Sequence, residues 1–464
     1  MTVTIGDCRV ATGIDRCRLA IGRAGHRVAL LALLLATPAV VYGQQPAGTE
    51  LTLDEAIARG LANSLRLAEL ESRKEAADAS LAQREADKLP VVALQAGYTR
   101  TNHVEEFVLA QIGQGIRVLY PDVPDNYRTR LDMQWPIYTS GRTDALERAA
   151  RAELGAAGSD LDAARADLRL EITRAFWALV TARDAEQVLS RTLGAIESHV
   201  RDLKNRLAQG LIPPNEVLTA EAQQSRERLL AIEAANTRAI TESDLRRLLG
   251  ESGATPIVPK AVFDQPVQTS PQAEVLIERG RASRPERHAL SQRVDAAEAR
   301  IDAAAAGTRP QVAVGGGYDY ARPNPRIFPR VDTWEDSWDV SVNVTWSLWD
   351  GGRTRGAKAE AAAVAGAARS RAADFDRQLE FEVRQRQLEL DSSRAAIAVA
   401  ADGVRAAQEA RRVVGERFAA GVATSTEVLD AESDLLQAEL SRTRALANAR
   451  LAEARLARAV GETR

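Results

Sequence analysis

Few side chains in this sequence are spaced to do chemistry. Three histidines follow the N-terminal region, His103, His199 and His288, and none has a second ligand at metal-binding spacing. Glu105 and Glu106 could form a pair of catalytic carboxylates, but they stand in a polar stretch that reads as a solvated loop. The run GGGYDY at 315–320 opens no helix, so it does not read as a phosphate-binding loop. Both cysteines, Cys8 and Cys17, precede an apolar run and leave with it if the chain is cut there. No catalytic constellation, metal or other cofactor is therefore expected. One constellation remains. Glu427 and Asp430 are three residues apart and share a helix face, and Glu216 stands where Glu427 would fall in an earlier, similar stretch. Repeated around an axis, such carboxylates would attract cations and raise one another's pKa. Alone, they would be an ordinary acidic first turn favoured by the helix dipole.

The elements that must place these residues occur twice. "IARG" at 57–60 returns as "IERG" at 277–280, and "KLPVVALQAGY" from Lys88 returns as "TRPQVAVGGGY" from Thr308. The separation is then 220 residues (57 to 277). "WPIYTSGRT" from Trp135 and "QGLIPPNEVLTAE" from Gln209 return as "WSLWDGGRT" from Trp346 and "AGVATSTEVLDAE" from Ala420, now 211 apart (135 to 346). The change falls between two strand-like stretches, so the loop joining them varies freely. The first repeat, 44–254, reads as helix 53–88, strands 91–101 and 128–138, and helices 141–210 and 215–250. The second, 272–464, reads as helix 273–307, strands 311–321 and 337–348, and helices 354–420 and 425–461. A proline-rich linker, 255–271, divides them. The longest helices would be rods about 100 Å long at ~1.5 Å per residue. Asn215 and Thr426 are the expected N-caps of the returning helices.

The strands alternate strictly. Trp338, Val340, Val342, Val344, Trp346 and Leu348 are interleaved with Asp339, Ser341, Asn343, Thr345 and Ser347. Of thirteen Trp and Tyr residues, all but Tyr42 and Trp177 lie within 91–138 and 311–349. Tyr98, Trp135, Tyr318, Tyr320, Trp338 and Trp346 are thus candidates for an aromatic girdle at a membrane interface. A small soluble β-domain in a coiled-coil protein is the plainer alternative. Four strands cannot close a barrel, and open edges in lipid leave backbone groups unpaired. Three chains would bring twelve strands and leave a lumen. Pro136 should lie where the chain leaves the barrel.

The N-terminus supports export. Arg16, Arg18, Arg23 and Arg27 precede an apolar run, Val28 to Val41, with small residues near Gly43, so residues 1–43 read as a signal peptide cleaved near Gly43. The net charge of −3 offers no nucleic-acid surface.

From about 51 to 462 the sequence resembles the TolC family of outer-membrane efflux proteins. The twofold repeat, the two strand-exit motifs and the paired turns after the long helices carry that resemblance. It implies an α+β membrane protein: a homotrimer with a 12-stranded β-barrel in the outer membrane of a Gram-negative bacterium and an α-helical barrel in the periplasm. It further implies the exit channel of a tripartite efflux or type I secretion system. The partners would be a periplasmic adaptor and an inner-membrane pump of the resistance–nodulation–division or ABC type. The tips Gly210, Leu211, Ile212 and Gly421, Val422, Ala423 would dock the adaptor, and Glu216, Glu427 and Asp430 would line the periplasmic gate. A family example carries arginine where Ala423 stands; Arg206 and Arg417 could substitute in latching the mouth. The competing reading is a periplasm-spanning scaffold without an open lumen.

Overall fold

The computed structural model describes residues 49–111, 115–253, 255–261 and 271–462. The signal segment 1–43, its cleavage point and positions 262–270 of the linker lie outside the described residues. In chain order the elements are β1 (Thr49–Leu51), α1 (Leu53–Asn63), α2 (Leu65–Ala86), β2 (Val91–Arg100), β3 (Phe107–Gln111) and β4 (Gly115–Tyr120). Then come β5 (Asp125–Tyr138), α3 (Arg142–Ala208), α4 (Pro214–Leu249), β6 (Ile257–Pro259), α5 (Ala273–Ser283) and α6 (Pro285–Ala305). The chain ends with β7 (Gln311–Arg322), β8 (Glu335–Thr345), α7 (Arg353–Ala419) and α8 (Ser425–Ala459).

Four strands form one antiparallel sheet, ordered β2-β5-β7-β8, so each repeat contributes a hairpin and the outer edges of β2 and β8 are unpaired among the described residues. The helix expected over 53–88 is two, α1 and α2. Ser64 between them is extended (ψ 113°), and its hydroxyl accepts the Leu67 N–H as the cap of α2. The helix expected over 273–307 also divides, at Arg284, because Pro285 forces the residue before it out of the helical region. The strand expected to reach 348 ends at Thr345, so Trp346 lies just past it. The linker begins with a strand: β6 pairs in parallel with β1.

The long helices α3 and α7 each run 67 residues without a proline. Where they follow the sheet the backbone is left-handed, at Ser140 and Gly141 and again at Gly351 and Gly352. Ser140 Oγ donates to the Pro310 carbonyl, which helps hold a non-glycine residue there. The core has two matching halves. Leu161, Leu168, Ile172, Phe176 and Leu179 of α3 bury against Leu51, Leu245, Leu249 and Ile257. Leu379, Val383 and Leu390 of α7 bury against Leu276, Ile277, Leu456 and Val460. Each large side chain removed from water contributes about 2 kcal/mol. Gly60 lets α1 approach α3: a Cβ there would meet Ile172 Cδ1 at 2.4 Å and the Leu248 carbonyl at 3.2 Å. Gly280, its counterpart in α5, faces Leu379 and the Ala459 carbonyl.

Candidate functional site

The sheet presents two unlike faces. One carries Leu94, Leu131, Trp135, Tyr318, Trp338, Val340, Val342 and Val344, all large and all exposed; Val342 keeps 66% of its surface. A folded chain does not offer water so continuous an apolar face. Tyr318 and Trp338 pair across the middle of this face at the level of Leu131, and its other aromatic residues gather at the two ends. At the end joined to the helices, Trp135 Nε1 donates to the Lys88 carbonyl and Trp346 Nε1 to the Thr308 carbonyl, each 3.0 Å. The two tryptophans and their acceptors are repeat counterparts, so both hairpins are anchored alike. At the far end Tyr98 packs on Tyr127, Tyr127 on Trp334, and Trp334 stacks on Tyr320 at 4.9 Å. From Tyr127 to Trp135 the strand advances roughly 26 Å at ~3.3 Å per residue, or about 20 Å of depth when tilted by ~40°. That is most of the ~25 Å apolar band of a membrane barrel.

The other face is ionic. In register, Arg130 lies opposite Asp319, Asp132 opposite Gly317, and Gly317 opposite Asp339. Arg130 therefore reaches across β7. It donates to Asp132 at 2.7 Å, to Asp319, and to Asp339 at 3.1 Å. Gly317 makes this possible, because a Cβ there would lie 2.3 Å from Arg130 Nη2. Arg128 donates to Asp319 at 2.5 Å, and Arg326 from the β7–β8 loop pairs with Asp339 at 3.4 Å. Three guanidinium groups thus meet three carboxylates on one wall, and Asp319 is only 3% exposed. Such a wall suits a water-filled lumen, with the apolar face toward lipid. Pro136 sits at the end of β5, where the register with β7 shifts, as its missing N–H requires.

The periplasmic-side turns form the second part. Both long helices end in the same cap: glycine in the left-handed region, with the next N–H reaching back a full turn. Gly210 has φ 71°, and Leu211 N–H donates to Arg206 O. Gly421 has φ 77°, and Val422 N–H donates to Arg417 O. Leu211 and Val422 stand exposed, 67% and 65%, whereas Ile212 packs inward and Ala423 is half-buried. The two tips are packed together by Ile196, Val200, Leu203, Val217, Ala220 and Leu429. His199 Nε2 shares a hydrogen bond with Ser425 Oγ at 2.8 Å and meets the Phe418 ring. Arg206 lies over that ring at 4.7 Å.

The expected caps shift. Asn215 does not cap α4, whose N-cap position is Pro213, whose first residue is Pro214, and which has no side-chain cap. Thr424, not Thr426, caps α8. Glu427 completes that capping box: Thr424 N–H donates to its carboxylate at 3.1 Å, and Glu427 N–H donates to Thr424 Oγ1 at 3.3 Å. The Thr424 backbone N–H, with help from the hydroxyl and Arg417, holds Glu427 below the usual carboxylate range. Asp430 is exposed, one turn further along α8, and Glu216 is half-buried at the start of α4. Within one chain the structure thus brings Glu427 to Arg417 but joins neither Glu216 nor Asp430 to it. The sequence reading passed over the Arg130 network, Trp334 and the His199 contact. The alternation of Arg128, Arg130 and Asp132 in β5 was a visible signal for the first.

Similarity to known proteins agrees with this geometry. The outer membrane efflux protein family matches residues 56–251 and 276–462. Protein CyaE of Bordetella pertussis is 29% identical over 335 residues, covering 70% of this chain and 67% of its own length. Among solved structures, a membrane protein of Pseudomonas aeruginosa is 22% identical, with a TM-score of 0.75 over 88% of this chain and 93% of its own. The outer membrane protein VceC of Vibrio cholerae is 22% identical, with a TM-score of 0.74 over 88% and 96%. The open-state MtrE outer membrane channel of Neisseria gonorrhoeae is 19% identical, with a TM-score of 0.72 over 88% of each chain. The chain belongs to the outer membrane efflux protein family, and it is an outer-membrane exit channel protein rather than an enzyme.

Proposed function

We propose that this channel is the exit duct of a tripartite machine. An inner-membrane pump, of the resistance–nodulation–division or ABC type, supplies energy. A periplasmic adaptor docks on the tips formed by Gly210, Leu211, Ile212, Gly421, Val422 and Ala423. The observation that carries this reading is the pair of identical glycine caps. Each holds one large apolar side chain, Leu211 or Val422, out in water at the end of a rod. Exposed apolar residues on a rigid helical end suit helix-to-helix docking. Asp430, with Glu216 and Glu427 on neighbouring turns, would line the mouth in the trimer. Export would follow cleavage of residues 1–43 near Gly43. Val422→Asp tests the docking role. The variant should form trimers and conduct in planar bilayers as wild type does, yet fail to restore efflux or secretion in a deletion strain. Full restoration would remove the tip from adaptor docking.

A further inference from the structure

Beside the ionic wall lies a recess of about 340 Å³. Its floor is the lumenal face of β2 and β5, with Gln95, Thr99, Asn126, Arg128 and Arg130. Pro323, Pro325 and Arg330 of the β7–β8 loop also line it. Three guanidinium groups line this recess, and no carboxylate does. Their charges are unequally compensated. Arg130 spends its donors on three aspartates. Arg128 commits only its Nε, to Asp319, which leaves its two terminal nitrogens uncommitted among the described residues. Arg330 has no carboxylate partner among the described residues: it donates to Tyr120 Oη at 2.9 Å and lies over that ring at 4.9 Å. The neighbouring carboxylate, Asp332, is taken by Arg322.

We infer that this recess is an anion-binding site at the extracellular end of the lumen, suited to small molecules that carry two or more carboxylates or phosphates. Planar guanidinium forks match those groups in pairs, and a recess in the protein wall screens them less than open water would. Asn126, Gln95 and Thr99 add neutral polar groups on the floor. In a trimer three such recesses surround one exit, so anionic cargo leaving the duct would meet a ring of sites. The inference rests on the exit-channel reading of the lumen.

The test uses full-length trimers in planar bilayers at fixed ionic strength, with citrate added stepwise to the barrel side and glucose as a neutral control. Citrate should lower wild-type conductance saturably, and glucose should not. Arg330→Gln should weaken the citrate effect about tenfold, the scale of one lost hydrogen bond to a charged group. Arg128→Gln should weaken it similarly; if that variant fails to assemble because Asp319 loses a partner, Arg330→Gln decides. Wild-type citrate sensitivity in Arg330→Gln, or equal effects of citrate and glucose, would overturn the site. Inorganic pyrophosphate in a second series separates phosphate from carboxylate preference. Trimers that assemble but never conduct would instead sink the channel reading itself.

Discussion

His199 sits half-buried between the two tips, and burial pushes its imidazole below the ordinary range. Asp202 on α3, Glu432 on α8 and Glu216 on α4 oppose that shift, and Arg206 adds to it. From α7 the ring meets Phe418, which carries no charge. An imidazolium there would also face the N-terminal, positive end of α8 at Ser425. Loosened tips bind the proton at the ordinary imidazole pH and packed tips only below it. The packing is therefore at full strength above that range and weakens as pH falls through it. Tryptic cleavage at the tips, scaled to an unstructured peptide, should rise between pH 7.5 and 5.5 in wild type. In His199→Gln, which keeps a donor for Ser425, the difference between the two pH values should shrink. For Asp430 we propose a different task, at the periplasmic gate. Its carboxylate has no cap to serve, whereas Glu427 is held by Thr424 and Arg417. Asp430→Asn should lower the cation-to-anion permeability ratio of the trimer, as read from reversal potentials in a salt gradient. An unchanged ratio would place Asp430 away from the narrowest point.

At the scale of elements, glycine decides how closely the short helices approach the long ones. Gly60→Ala drives a methyl into Ile172 and toward a backbone carbonyl that cannot swing aside. Overpacking of this kind costs about 1–3 kcal/mol. The temperature at which trimers dissociate in mild detergent should fall, with conductance of the remaining trimers unchanged. Much of this architecture was legible beforehand. The repeat "IARG"/"IERG" marked Gly60 and Gly280, and the alternation about Trp338 marked β8. Illegible parts had definite causes. β1 and β6 are three residues each, too short to show a period. The hairpin β3–β4 lies within a loop that is longer in the first repeat than in the second, so no second copy supported it. The division of α1 from α2 has no proline to announce it, whereas Pro285 was an available signal for the matching one that the unbroken helix expected over 273–307 did not use. The lumenal network depends on the register of β5 against β7, which places Arg130 beside Asp319, 189 positions apart in sequence.

At the scale of the whole molecule, the sheet's free edges set how faults propagate. Among its described strands, β2 and β8 end the sheet, so every subunit must be joined on both sides by another copy. Consider a variant with proline at Val92 or at Ala93 of β2. Successive N–H groups point to opposite sides of a strand, so one of the two positions removes an outward donor. Such a subunit fails its neighbour as well as itself. When it is made in equal amount with wild type and the two mix at random, only about one trimer in eight is free of it. Heat-modifiable trimers from such cells should drop toward that fraction, rather than to half. A defect in a single gene copy would therefore behave as dominant, leaving sound assemblies only in proportion to the cube of the sound subunits' share.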